Sequence, residues 1–440
     1  MMSNLTLIDC FAGIGSFSLG AQRNGIEITG HVEYDGFRDH VLSKHFNCSN
    51  FGDIRYFAKP LKEIPYALEN LSEPNQELPS FLSSCQANRQ PKRNSSSFEE
   101  DSVPSEHYDI EFASLEDFME GVIECPNMMS FSIPCRDVSR ANFWRVGMHG
   151  EQSGLVTEAA RIIETLVPDY VLVECTEDFF KAGMGGAWLI DKMMEQGYSH
   201  IEWQVVSGAA LGYPQLRSRA IIVGAQPDTA LARSGESAFH ELERYVNRIQ
   251  SGSWTWHCRT KDEVDSDYVR RHMLDEDPKS IKWRSLSLNA LGDSLIVKLP
   301  ELIFCQIVRL ESSPVQPNLF ASMPEGTVMP FNHDEDVSRN GAVFSGTYYA
   351  RERNKNIDLL SSNPELKNKL FPTLFRKEGN NLCSGKSRTK RPGSQGGYAG
   401  LFQTEYGITQ GGLSLAYCHR IMGFPKGWVF SEDKSDHKLC

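Results

Sequence analysis

The chain has 440 residues, 40% hydrophobic and 23% charged, an ordinary balance for a soluble protein long enough for two cores. A formal charge of −12 excludes a uniformly basic nucleic-acid binder, and no segment approaches the roughly 18 apolar residues of a membrane span. The 11 cysteines show no C-x-x-C pair and no Cys/His spacing of the zinc kind, which predicts reduced thiols, no metal and a cytoplasmic protein.

The opening "MMSNLTLIDC" lacks the basic stretch and apolar run of a signal peptide. "LTLIDCF" reads as a first strand that ends at a glycine-rich turn, "AGIGSFSLG". A helix-compatible segment follows, then "IEITGHVEYD" as a second strand ending near Glu33, and a short third element leads into "FGDIR". Strand, glycine turn, helix and strand make a βαβ unit of nucleotide-binding type. Residues 72–107 are rich in Ser, Pro, Glu, Asn and Gln, with little to bury, and read as a mobile insertion. "VTEAARIIETLVP" has helical spacing, with Ala159, Ile162, Ile163 and Leu166 on one side. "DYVLVEC" reads as a buried strand, and "AALGYPQLRSRAIIVGA" as a turn followed by another strand. Beyond residue 226 the alternation weakens: 236–250 looks helical, and 250–400 is irregular, with many turn residues and aromatics, as in a second domain built for contacts.

Gly13 and Gly15 let the backbone approach a ligand ahead of a helix N-terminus, and Glu33 stands where an acid would take ribose hydroxyls. The next glycine comes only at position 20, so the dinucleotide fingerprint is not met and an adenosine cofactor without a pyrophosphate fits better. A tight structural turn is the competing reading. Asp53 either accepts from an adenine amino group or caps a helix. Cys135 follows Pro134 in a stretch with little regular pattern, with Arg136 and Arg140 close by; the two readings are a reactive thiolate and an inert core cysteine. Glu174 leaves a hydrophobic strand, which predicts a raised carboxyl pKa. Arg217 and Arg219 lie two apart, on one face of an extended segment, a pair suited to holding a carbonyl or a phosphate. Within 376–391, Arg376, Lys377, Lys386, Arg388, Lys390 and Arg391 stand against the single acid Glu378, either as a phosphate-binding patch or as a solvated loop.

In their order, these stretches resemble the cytosine-C5 DNA methyltransferase family. "DCFAGIGSFSLG" is similar to its cofactor motif, "VEYD" and "GDI" to its ribose and adenine segments, and "PCRDVS" to its nucleophile motif. "SGLVTEAARIIETLVPDYVLVEC" follows the next helix and strand, "QLRSR" matches Gln-x-Arg-x-Arg, and "GGLSLAYCHRIMGFPKGW" resembles the late motif ending in Gly-Phe-Pro. The resemblance implies an α/β class I S-adenosylmethionine-dependent methyltransferase fold, a Rossmann-like mixed sheet with helices on both faces. It implies a catalytic domain over 1–225, a smaller irregular target-recognition region over 226–410 and a late-motif segment over 411–440. S-adenosylmethionine would meet Phe11, Gly13, Gly15, Glu33, Tyr34, Asp53, Pro134 and Leu155. Cys135 would add to a flipped cytosine in double-stranded DNA, with Glu174 and Arg219 supporting the base and Arg217 assisting. Ser139, Gln215, Arg376, Lys377, Lys386 and Arg388 would meet DNA, and 139–154 would be a loop closing over the base.

Several positions depart from the family pattern. Arg136 replaces a glutamine, Cys175 and Thr176 replace Asn-Val, and Gly411 and Tyr417 stand where the late motif has an arginine and a glutamate. The family's last motif, a Gly-Asn segment that closes the cofactor pocket, is not visible after Pro425. The corresponding expectations are a second chain that supplies the segment, a silent DNA-binding homologue, or a truncated product; retention of Cys135, Glu174 and Gln-x-Arg-x-Arg favours an active enzyme. Relatives that act on RNA have smaller recognition regions than 226–400. A nicotinamide oxidoreductase reading rests on the βαβ unit and leaves Cys135, Glu174 and "QLRSR" unexplained.

Overall fold

The computed structural model describes residues 5–64, 113–135, 153–215, 217–250, 256–275, 281–313, 327–329, 331–332, 335–351, 366–374, 397–408 and 412–429. The expected insertion at 72–107, most of the 139–154 loop and the basic 376–391 stretch lie outside these residues, and so do Arg136, Ser139 and Arg140.

The strands β1 (Thr6–Cys10), β2 (Glu27–Val32) and β3 (Ser49–Asn50) pair in parallel on one side. On the other side β1 pairs in parallel with β4 (Met128–Ser132), and β4 with β5 (Tyr170–Thr176). Next to β5 runs β7 (Ser218–Ala225), antiparallel both to it and to β6 (His200–Ser207). A pair between β8 (Leu274–Asp275) and β12 (Gly412–Leu413) stands apart, while β9 (Thr327–Met329), β10 (Gly341–Phe344) and β11 (Thr347–Ala350) extend the main sheet from β6. The main order is β3-β2-β1-β4-β5-β7-β6-β10-β11-β9. The chain reverses direction across the sheet between β1 and β4, the place where α/β sheets open a crevice at their carboxyl ends.

Helices cover both faces, so the strands carry near-continuous apolar runs rather than the alternation expected for a half-exposed sheet. Leu7, Met128, Leu172 and Val223 point into one layer, and Ile8, Met129, Val171 and Ile222 into the other. The second layer is closed by α3 (Leu115–Met119), α4 (Val156–Leu166) and α5 (Gly186–Glu195), through Phe118, Ala159, Ile162, Leu189 and Ile190. The first contains α1 (Ser16–Gln22) and α2 (Gly36–His45). It continues through α6 (Ala230–Ser234), α7 (His240–Gln250), α8 (Ser266–His272), α9 (Ile281–Asp293) and α10 (Lys298–Glu311). The short α11 (Leu366–Lys369) precedes α12 (Gly397–Tyr406) and α13 (Leu415–Met422). Phe17 of α1, Leu242 of α7, Phe304 of α10, Phe402 of α12 and Met422 of α13 lie in the same cluster as Leu7 and Val223. Each side chain of that size contributes roughly 1.5–3 kcal/mol when fully buried. Residues before and after position 225 therefore share one core, and the hairpin at 341–350 continues the same sheet.

Candidate active site

The glycine turn leaves β1 at the crevice. Its Gly13 N–H donates to Glu33 Oε2 at 2.8 Å, and the Asp35 N–H donates to Glu33 Oε1 at 2.9 Å. Each oxygen keeps lone-pair capacity for a ligand hydroxyl. Glu33 is buried at the end of β2, and burial raises its carboxyl, with the Arg38 charge opposing. Gly15 has φ 83°, and a Cβ there would lie 2.8 Å from the Phe46 ring, so the turn requires glycine both for its backbone and for its space. Phe11 has φ 53° and donates its N–H to the Val32 carbonyl at 2.8 Å. Below the turn, the Asp9 carboxylate accepts from the Ser18 N–H, the Ser18 hydroxyl and the Ser130 hydroxyl. Burial raises Asp9 to about 7. This network pins the first turn of α1 to β1 and β4. Tyr34 is exposed, and Asp53 lies at the same edge with its carboxylate paired to Arg55. The donor set of turn amides, a buried acid and apolar neighbours fits an adenosine cofactor.

The Cys135 side is built from β4, β5 and β7. The Ile133 N–H donates to the Glu174 carbonyl at 2.9 Å and so holds Pro134 and Cys135 beside the end of β5. Across the antiparallel β5–β7 pair, Thr176 faces Arg219 and Glu174 faces Ile221. Glu174 and Arg219 are thus diagonal neighbours on one face, and Arg219 Nε meets Glu174 Oε1 at 2.8 Å. Burial raises the Glu174 carboxyl, as the strand predicted, with Arg219 and Arg217 pulling against it. Burial also raises the Cys135 thiol; Arg219 lowers it, while Glu174 and Asp293 add to the rise. Cys135 and Leu155 are half-buried against the same apolar cluster as Phe11. The arrangement places a thiol, a carboxyl inclined to hold its proton and a guanidinium at one end of three adjacent strands.

Two of the expected residues have other work in this geometry. Arg217 is 2% exposed, and its guanidinium donates to the carbonyls of Leu374, Gly292 and Ser294. Burial first, then the neighbouring Arg219 charge, lowers its pKa. Gln215 is 1% exposed and donates its amide N–H to the Ile421 carbonyl at 2.6 Å, tying the entry of β7 to α13 instead of facing solvent where DNA could reach it. Arg376, Lys377, Lys386, Arg388 and Ser139 lie outside the described residues. No group of metal-ligating side chains occurs among the described residues, and no helix there is long and apolar enough to cross a membrane.

The structure also brings together residues whose contacts no local sequence signal marked. The junction from α9 to α10 runs over the site: Ser16 Oγ donates to the Leu295 carbonyl at 3.1 Å, and Arg38 pairs with Asp293. Behind the glycine turn, the Trp428 indole N–H donates to the Ile14 carbonyl at 2.8 Å, and its ring stacks 3.6 Å from His45. The late "GFPKGW" stretch thereby reaches the glycine turn, a contact its distance in sequence conceals.

A family model described as C-5 cytosine-specific DNA methylase matches residues 5–70 and 97–439. The chain is 23% identical over 247 residues to the type II methyltransferase M.Sau3AI of Staphylococcus aureus, covering 54% of this chain and 47% of that one. It therefore spans about half the length of this curated relative. Among solved structures, it overlaps the Entamoeba histolytica methyltransferase EhMeth at 13% identity, over 51% of this chain and 53% of that one, with a TM-score of 0.31. Against the S. pombe Dnmt2 methyltransferase the figures are 9% identity, 51% and 50% coverage and a TM-score of 0.29. Overlaps this low add nothing to the family assignment.

Proposed function

The chain belongs to the C-5 cytosine-specific DNA methylase family, and from that premise we propose that it transfers a methyl group from S-adenosylmethionine to carbon 5 of cytosine in double-stranded DNA. Its fold, an α/β sheet with helices on both faces, is of the class I methyltransferase type. The observation that carries the proposal is the convergence of Cys135, Glu174 and Arg219 beside a glycine turn whose amide is held by Glu33.

When bound, the cofactor supplies an electrophilic methyl group on a sulfonium sulfur. Gly13, Gly15 and Glu33 would hold its adenosine portion, with Phe11, Tyr34, Asp53, Pro134 and Leu155 around it. The base would be rotated out of the duplex to reach the thiol. Cys135 loses its proton and adds to ring carbon 6, which places electron density on carbon 5. Glu174 in its protonated form donates to ring nitrogen 3, and Arg219 holds the carbonyl oxygen. Carbon 5 would take the methyl group as the methyl–sulfonium bond breaks, a base would then remove the carbon 5 proton, and the bond from Cys135 Sγ to ring carbon 6 would break to restore the thiolate. Arg217 acts from behind, fixing the strand that presents Arg219. The basic 376–391 segment would contact the duplex.

The Cys135→Ala variant tests the assignment. It is expected to show no methyl transfer above background while its S-adenosylmethionine dissociation constant stays within about twofold of the parent. Turnover retained in that variant would refute the nucleophile.

A further inference from the structure

The segment Gly292–Val297 belongs to the part of the chain expected to read DNA, yet four contacts fasten it over the catalytic edge. Arg217 takes the carbonyls of Gly292 and Ser294, Ser16 takes that of Leu295, and Arg38 pairs with the carboxylate of Asp293. The first three are made to backbone, so they hold the strap in place without depending on its side chains. The fourth is specific to Asp293. Behind the strap, α10 packs along α1, and a Cβ on Gly20 would meet the Glu301 backbone at 2.8 Å.

Arg38 occupies a second relation. It sits in the first turn of α2, whose N-cap Asp35 accepts the Phe37 and Arg38 amides, and its charge opposes the rise of the Glu33 carboxyl. Asp293 in turn acts on Cys135, Glu174 and Arg217. One ion pair thus stands between the acid of the cofactor side and the thiol side, with its two side chains 20% and 33% exposed.

We propose that Arg38 and Asp293 are positioning residues that clasp the Gly292–Val297 strap across the cofactor end of the site, so that cofactor binding is completed from within this chain. The inference rests on the methyltransferase reading. Because Arg217 already fixes the carbonyls on both sides of Asp293, little ordering of the carboxylate remains to oppose pair formation. The partial exposure of both groups keeps the effect modest.

The test uses the full chain and titrates S-adenosylhomocysteine by calorimetry into the parent, Arg38→Ala, Asp293→Ala, the double variant and Arg38→Lys. Each alanine variant is expected to weaken binding about fivefold, and the double variant no more than the weaker single, since both remove one interaction. Arg38→Lys should recover most of the loss. The KM for S-adenosylmethionine should rise in step while duplex DNA affinity holds, which a general loss of folding would not produce. Unchanged cofactor affinity in both single variants, or single effects that multiply in the double variant, would overturn the clasp. A parent chain that binds no S-adenosylhomocysteine would overturn the methyltransferase reading and the clasp with it.

Discussion

Cys135 sits where burial and the nearby carboxyls of Glu174 and Asp293 keep its thiol protonated, with Arg219 as the principal opposing charge. Reactivity of a cysteine follows its thiolate fraction. A raised thiol pKa therefore predicts that the resting protein stores no thiolate near pH 7. Alkylation of Cys135, followed by mass spectrometry of its peptide, should speed up by about tenfold per pH unit and continue rising beyond pH 9. A plateau at or below neutral pH would show an already ionised thiol and contradict this placement. The residues proposed to do the chemistry could be read from the sequence because each sits in a short contiguous motif: Pro-Cys, the strand-ending glutamate, Arg-x-Arg. Asp293 and Arg38 were not, because their relation joins positions 255 residues apart and neither lies in a motif. Gln215 and Arg217 were legible as a motif but not as buried clamps, since only the packed structure shows which carbonyls stand opposite them.

Among the elements, β6 carries an ionic cluster built around Glu202. The Glu202 carboxylate, fully buried, meets His200 Nε2 at 2.7 Å and accepts from the Ser237 hydroxyl at 2.8 Å and from Arg351 at 2.9 Å. It ties the strand to the segment before α7 and to the residue following β11. Despite burial, these partners lower its pKa to about 2. A carboxyl lowered on folding stabilises the protein above its unfolded value near 4.5, and that stability fades as pH falls toward 2. The Glu202→Ala variant should lose about 3 kcal/mol in urea unfolding near pH 7, because it strands a buried charge network. Its deficit should shrink below pH 4.5; an equal deficit at all pH values would mean that the loss is one of packing. The strands β1, β2 and β5 and the helix α4 could be read from their apolar runs and spacing, whereas β4, just ahead of Cys135, was not among the expected strands. The helix α10 could not, because Pro300 and Lys298 in its first turn look like a break, although Leu299, Ile303, Phe304, Ile307 and Leu310 recur at helical spacing.

At the scale of the whole molecule, the apolar layer above α1 draws on residues from both ends of the chain. The expected division at residue 225 follows the order of motifs in the sequence, which says nothing about which residues share a core. Here the strap, α10 and the Trp428 stretch return to the βαβ unit, so the glycine turn and these later segments pack together. We predict methyl transfer by this chain without a second polypeptide. The direct measurement is incubation of the chain alone with methyl-labelled S-adenosylmethionine and unmodified duplex DNA, followed by nucleoside analysis. Label recovered as 5-methylcytosine is the predicted result. Cofactor binding without label in DNA, or label on any other position of the base, would contradict the account.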